Sequence, residues 1–513
     1  MKPYIAVLDA GSTQIKAFVY STCGKLLSHA ALALHTYHPQ PGWVEQDPEE
    51  IWQKSLQTLR RCLKNAKILP NQLACLAITN QRTTSLLWDS QTSLPLHPAI
   101  TWRDTRTQKL CQQLNHRLKI QAIQTLGKSI ECLCTLLPSL ANSPWIKMLI
   151  TASWFSYRPA FSSLHAKWIL QRQKLPLHRI RFGTIDTWLI WKFTEGRTHA
   201  TDYTNASATG IFNIYEGNWS KFLLHDLQLP PEILPPIQDC AGHFGEVSPK
   251  FLGAALPICG VIGDQQASLV GLNCTQKGRL KCTLGTGTFL DLCTGPELPY
   301  SASPLAPMVA WSVHGQKQYL LEGTIQSGGN SVHWLERSLR LLPNTQQSAK
   351  IASSLTNNEG VYFVPALEGL LAPYWNSRAK ALVVGLHPNV RPAHIVRAML
   401  EAIAYQIYDV CRVLLPRGFQ HTPLMVDGGA SANDFLLQWL ANLCNTTVVR
   451  PKNIWASSLG AAYIAGLGCG IYRQFSDFPP NPPQKSFSPQ LSPNQRQRFY
   501  REWKKAIRLC QSW

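Results

Sequence analysis

The period of the apolar positions changes several times along this chain. Residues 4–35 carry strand-length apolar runs, broken by Asp9 and by Gly11-Ser12-Thr13. The spacing near 48–65 predicts a helix. A strand over 74–79 would deliver Gln81 and Arg82 at its end. The run from Ile258 to Ile262 stops at Gly263-Asp264-Gln265-Gln266, where a helix begins. From Ala393 to Leu415, the residues Ile395, Met399, Ile403, Ile407, Val410 and Leu414 recur at helical spacing. That stripe reads as core. Residues 476–493 hold six prolines and several serines, which predicts an extended connector. A short basic, aromatic helix should close the chain. The alternation of strands and helices predicts an α/β protein, with a domain boundary near residue 272.

Two acids in this pattern stand where strands end. Asp264 follows one strand directly and would sit at a helix N-terminus, where α/β enzymes gather ligands. An Asp before an apolar helix also reads as an N-cap. Asp9 closes the first strand and is followed by Gly11, Ser12 and Thr13, with Lys16 close behind. Two further glycine loops follow strands, at Gly285-Thr286-Gly287-Thr288 and at Asp427-Gly428-Gly429. Glycines admit a polyphosphate close to the backbone, whose N–H groups then act as donors. Each loop could be an ordinary turn, but together they suit phosphate chemistry.

Length and charge narrow the picture. With 513 residues, two large domains are expected, and 45% hydrophobic content suits a globular fold. No basic-then-apolar leader and no uninterrupted apolar segment of membrane length is present, so no transmembrane segment is expected. The formal charge of +20 raises the question of nucleic acid. The basic residues are dispersed and no recognition motif occurs, so no nucleic acid is expected. The 15 cysteines form no framework. Cys132 and Cys134 stand too close together for a zinc knuckle. The scatter suits a reducing cytoplasm.

The order Asp9-Ala10-Gly11-Ser12-Thr13, then Gly285-Thr286-Gly287-Thr288, then Asp427-Gly428-Gly429 resembles that of the actin-like ATPases. Longer stretches narrow the match. They are Ile78-Thr79-Asn80-Gln81-Arg82, Thr101-Trp102-Arg103-Asp104-Thr105-Arg106-Thr107, Phe182-Gly183-Thr184-Ile185-Asp186-Thr187-Trp188, Thr201-Asp202-Tyr203-Thr204-Asn205 and Ala372-Pro373-Tyr374-Trp375. With them the chain is similar to the FGGY carbohydrate kinases, and among these to the glycerol kinases. The likeness covers nearly the whole chain, apart from an apparent insertion at about 128–158. It implies two actin-like (ribonuclease H-like) domains, over 1–271 and 272–513, with ATP in the cleft between them. It further implies transfer of a phosphoryl group from ATP to a primary hydroxyl of a small polyol or sugar. For glycerol the products are glycerol 3-phosphate and ADP.

Roles follow from that resemblance. Asp264 would be the general base. Asp9 would hold Mg²⁺ through water. Ser12, Thr13, Gln14 and Lys16 would face the terminal phosphates. Thr286, Gly329 and His333 would line the nucleotide site, with Gly429 and Asn433 at its adenosine end. Arg82, Asp264 and Gln265 would bind hydroxyls, and Trp102 and Phe289 would wall the apolar side. The resemblance also implies a cytoplasmic homodimer or homotetramer.

The chain departs from the family at telling positions. Thr83 replaces a Glu that binds a substrate hydroxyl, and Ala160 replaces a Tyr that touches substrate. Both changes leave space. A larger polyol or a ketose is therefore an alternative acceptor, and a weakly active regulatory relative is a further one. On the nucleotide side, Lys16 stands for an Arg, Gln14 for a Ser and His333 for a Gln. Phe251-Leu252-Gly253-Ala254-Ala255 stands where an allosteric glycine-rich loop lies in some relatives, so inhibition through that loop is not expected. The insertion is apolar, and Pro138 and Pro144 should break any long helix in it. A lid, a dimer contact and a plain surface excursion are all consistent with it.

Overall fold

In the strand Tyr4–Ala10, every residue from Ile5 to Ala10 is buried. Such a run must be covered on both faces, and it lies in the middle of a sheet. The computed structural model describes residues 2–137, 139–140, 143–299, 305–419 and 422–512. Tyr4–Ala10 pairs antiparallel with Gln14–Ser21, which pairs antiparallel with Leu26–Ala33. On its other side it pairs parallel with Leu73–Asn80, and Leu256–Gly263 follows in parallel. Glu246–Val247 closes that edge in the antiparallel sense.

The second sheet repeats this plan. Leu280–Leu284, Thr288–Gly295 and Gln316–Ile325 form the antiparallel meander. Leu424–Asp427 and Val448–Pro451 add the two parallel strands, and Pro483–Phe487 closes the edge antiparallel. Ala306–Val313 is an extra strand beside Gln316–Ile325. Each sheet thus places a glycine hairpin between the first two strands of its meander. The echo between the two glycine hairpins in the sequence is a duplicated sheet in the structure.

Two expectations are corrected. The proline-rich stretch is more than a connector, because Pro483–Phe487 is an edge strand in register with Val448–Pro451. Proline is tolerated there, since an edge strand can spare an N–H. The closing helix is not short. It runs Pro493–Ser512 and buries Trp503, Ala506, Ile507 and Cys510. Trp503 stacks on Tyr405 at 5.2 Å and donates to Asp409 at 2.8 Å. In the insertion the expected break holds: one helix, Leu118–Leu136, enters it and stops at Leu136, and a separate helix, Pro144–Ser153, follows. Pro144 opens the second helix, where its missing N–H costs nothing. Pro138 lies outside the described residues. The second helix reaches the main body through Thr151 Oγ1 and Tyr215 OH, 2.6 Å apart. No helix among the described residues is long and apolar enough to cross a membrane.

Two helices lie between the sheets. Asp264–Gly271 follows the strand Leu256–Gly263, and Ala456–Gly468 comes from late in the chain. Around them, Ile5, Val7, Phe18 and Tyr20 of the first sheet share one apolar core with Ala310, Trp311 and Leu320 of the second. The two helices meet backbone to backbone. A methyl added at Gly460 would lie 1.8 Å from the Ala267 carbonyl oxygen, and one at Gly271 would lie 2.0 Å from that of Ala456. Gly460→Ala must therefore push the helices apart. We expect it to cost about 1–3 kcal/mol of stability, the usual range for overpacking. Urea unfolding checks this, and a midpoint equal to wild type would refute the close crossing.

Candidate active site

Asp264 is the first residue of its helix, and Gly263 is the N-cap with no side-chain cap bond. The capping alternative therefore fails. The carboxylate accepts only the adjacent Gln265 N–H, at 2.8 Å, and its side chain is 31% exposed. Burial raises its pKa, with Asp9 adding to the rise and Arg82 and Lys281 opposing it. The turn is held from beneath. Gly263 N–H donates to Thr204 Oγ1 at 2.8 Å, and Thr204 donates to Asp202. Asn205 links Asp202 at 2.7 Å to Asn80 at 3.0 Å, so both parallel strands end on one buried polar network.

Arg82 stands beside Asp264, with Nε 3.5 Å from its carboxylate. Its Nη2 lies 2.6 Å from Glu322, on the second sheet. Phe289 faces the guanidinium at 5.8 Å. Burial works against the Arg82 charge, but Glu322, Asp264 and Asp291 together hold its pKa above the usual value. Burial pushes Glu322 up to about 7.

Sequence reasoning missed Glu322 and two residues aligned with it. Lys281, Asp291 and Glu322 are register partners across three adjacent strands. Lys281 Nζ is fully buried, 2.7 Å from Asp291 and 2.6 Å from Gln265 Oε1. The Gln265 carbonyl is thus occupied, and its amide N–H groups are left to donate. Charged residues inside apolar strand runs were the available signal, as in Leu280-Lys281-Cys282 and Leu290-Asp291-Leu292.

The expected phosphate loops lie at the ends of their sheets. Gly11 N–H bonds the Gln14 carbonyl at 3.1 Å, which closes the first hairpin around Ser12 and Thr13. Gln46 donates to the Ser12 carbonyl at 2.6 Å and accepts from Gln81 at 2.7 Å, tying this hairpin to the Arg82 loop. Asp9 and Lys16 are register partners, with Lys16 Nζ 3.5 Å from the carboxylate. Gln14 is exposed at the hairpin end. In the second hairpin, Gly329 N–H donates to the Gly285 carbonyl at 2.9 Å, which brings Thr286 and Gly329 together. His333 is exposed on the helix Gly329–Arg337 and lies 3.3 Å from Glu336. A methyl on Gly429 would meet open space. The Asn433 side chain is committed locally, capping Leu436 N–H at 2.9 Å and donating to Ser348 at 3.1 Å.

The two departures are adjacent through the backbone. Ser162 donates to the Thr83 carbonyl at 2.8 Å, so the 159–162 segment runs along Thr83. Thr83 has φ 64°, a left-handed conformation that strains a β-branched residue by about 1–3 kcal/mol. Phe155, from the insertion, stacks on Phe161 at 6.2 Å and so packs beside Ala160. Trp102 is half-buried in the turn after Ala99–Ile100, with no hydrogen bond, ion pair or ring contact to the cluster among the described residues.

Among the described residues no group of three or more His, Cys, Asp or Glu side chains gathers to hold an ion. Mg²⁺ does not need such a cage, because it binds through one or two carboxylates, waters and substrate phosphates. Asp9, a hard oxygen donor beside the first hairpin and close enough to raise the Asp264 pKa, fits that requirement.

Comparison with known proteins agrees with this geometry. The N-terminal domain of the FGGY family of carbohydrate kinases matches residues 4–271, and the C-terminal domain matches residues 280–469. A glycerol kinase of Symbiobacterium thermophilum is 38% identical over 519 aligned residues, covering 100% of this chain and 99% of the relative. One from Halorhodospira halophila is also 38% identical, covering 99% and 97%. The crystal structure of Plasmodium falciparum glycerol kinase with ADP superposes with a TM-score of 0.86 at 29% identity, covering 99% of this chain and 98% of that one. A glycine hairpin on each of two duplicated sheets, an acid at a strand end and an arginine between them all occur on a chain matched along most of its length. The chain belongs to the FGGY family of carbohydrate kinases.

Proposed function

We propose that this kinase transfers the γ-phosphoryl group of ATP to a primary hydroxyl of glycerol, giving glycerol 3-phosphate and ADP. The observation that carries the reading is the Asp264 carboxylate, part-exposed at a strand end beside Arg82, in a chain 38% identical to glycerol kinases over their full length. Asp264 takes the hydroxyl proton as the oxygen attacks. Its raised pKa makes it a stronger base at neutral pH. Arg82 and the free Gln265 amide orient the hydroxyls, and Phe289 walls the carbon side. The hairpins at 11–14 and 285–287 receive the phosphates on backbone N–H groups. Asp9 would hold Mg²⁺ through water, and the bound ion neutralises charge on the phosphates. Residues 1–271 and 272–513 act as two bodies that clamp the nucleotide. The reading also puts the enzyme in the cytoplasm, as a homodimer or homotetramer. A second reading is favoured by Thr83 and Ala160, whose shortened side chains leave room for a longer polyol or a ketose.

Asp264→Asn should lower kcat by about 10²–10⁴, as loss of a general base does, while ATP affinity stays near wild type. Steady-state kinetics with isothermal titration of ATP measure both. Near-normal turnover at saturating acceptor would remove Asp264 from the role.

ATP must bridge hairpins on two sheets, so an unreactive analogue should draw the halves together and reduce the radius of gyration. Small-angle scattering reads this directly. An unchanged radius with binding confirmed would contradict closure.

Thr83→Glu with Ala160→Tyr should restore the family's hydroxyl contacts. The double variant should shift the ratio of kcat/KM for glycerol over a pentulose upward by about tenfold or more, since paired hydroxyls and filled space reach several kcal/mol. An unchanged ratio would mean that neither position faces the acceptor.

A further inference from the structure

Arg158 is a cation without an acid. Its guanidinium carbon lies 3.9 Å from the centre of the Trp375 ring. Among the described residues it makes no hydrogen bond and no ion pair. Glu322 acts on it only from a distance, and that carboxylate is engaged by Arg82 at 2.6 Å. Two more deeply buried arginines are matched. Arg106 pairs with Asp104 and Glu45, and Arg397 pairs with Glu401. Burial lowers the Arg158 pKa to about 10, and Glu322 only partly opposes the shift.

The surroundings lack acceptors too. The Trp375 indole N–H and the Thr83 hydroxyl are buried with no hydrogen-bond partner among the described residues. Arg158 directly precedes Pro159-Ala160, the segment that runs along Thr83. Thr83 brings a neutral hydroxyl to this segment in place of a carboxylate. A planar fork over an indole and two unpartnered neutral donors together complement a carboxylate. One arginine with neutral donors suits a monoanion better than a phosphate dianion.

We propose that Arg158 makes the acceptor pocket an anion-binding site, so that the enzyme also phosphorylates a short polyol acid whose carboxylate pairs with Arg158. This rests on the kinase reading above. The far primary hydroxyl attacks the γ-phosphorus, and the bond to the β–γ bridging oxygen breaks. ADP leaves, the hydroxyl proton passes to Asp264, and the carboxylate is unchanged.

Erythronate and ribonate, the neutral erythritol and ribitol, erythritol 4-phosphate and glycerol are compared by coupled ADP release. Wild type should favour each acid over the neutral polyol of equal length by at least tenfold in kcat/KM. Arg158→Met should collapse that acid-to-neutral ratio about a hundredfold, mainly through KM, and Arg158→Lys should restore part of it. Turnover of glycerol with no preference for the acids would overturn the proposal and leave the kinase reading standing. So would an unchanged ratio in the Met variant, or a preference for the phosphorylated polyol over erythronate. Titration of erythronate in the absence of ATP separates the two readings. Binding to wild type but not to Arg158→Met would support the anion site even if no acceptor were phosphorylated, and no binding would count against it. Circular dichroism of each variant establishes that it is folded.

Discussion

Arg82 is held by one carboxylate from each half of the chain, Asp264 at the end of the first sheet and Glu322 on the second. Much of the site depends on this link. Taking a guanidinium and two acids out of water is expensive, and only close pairing repays the cost. The pairing continues into the second sheet, where Glu322 lies in register with Asp291 and Asp291 with Lys281. Lys281 then reaches back to Gln265, beside Asp264. The result is a closed polar network that crosses between the sheets and returns, with Glu322 and Asp291 side by side and the cations Arg82 and Lys281 on either side of them. Loss of any member would leave a neighbour buried and uncompensated, so the network fixes where Asp264, Arg82 and Gln265 stand.

Much of this was legible in the sequence. Strands that end in an acid or an arginine could be found from Ile258–Ile262 followed by Asp264, and from the strand before Gln81-Arg82. Local apolar runs carry that signal within a few residues. The glycine hairpins were legible for the same reason. The partners of Arg82 were not, because register pairs Lys281 with Asp291 and Asp291 with Glu322 across turns that sequence alone does not measure. Charge inside an apolar strand shows that a partner exists without naming it.

The misreadings have physical causes as well. Pro483–Phe487 looked like a linker because prolines oppose strands, yet an edge position removes the objection. Pro144 does interrupt the helical run, and it does so by opening a new helix, because the first turn has no use for that N–H.

The backbone crossing at Gly271 and Gly460 has a mechanical side. The helix it clamps carries Asp264 at its other end, about 10 Å away at a rise of about 1.5 Å per residue. With no side chains between the helices, nothing soft absorbs a change of angle there. A tilt of about 5° at the crossing would carry the carboxylate about 1 Å. Displacements of that size cost about a hundredfold in rate when they misplace a reacting group. The crossing is thus the fulcrum of a short lever, and movement of Ala456–Gly468 against the first sheet would be felt at Asp264.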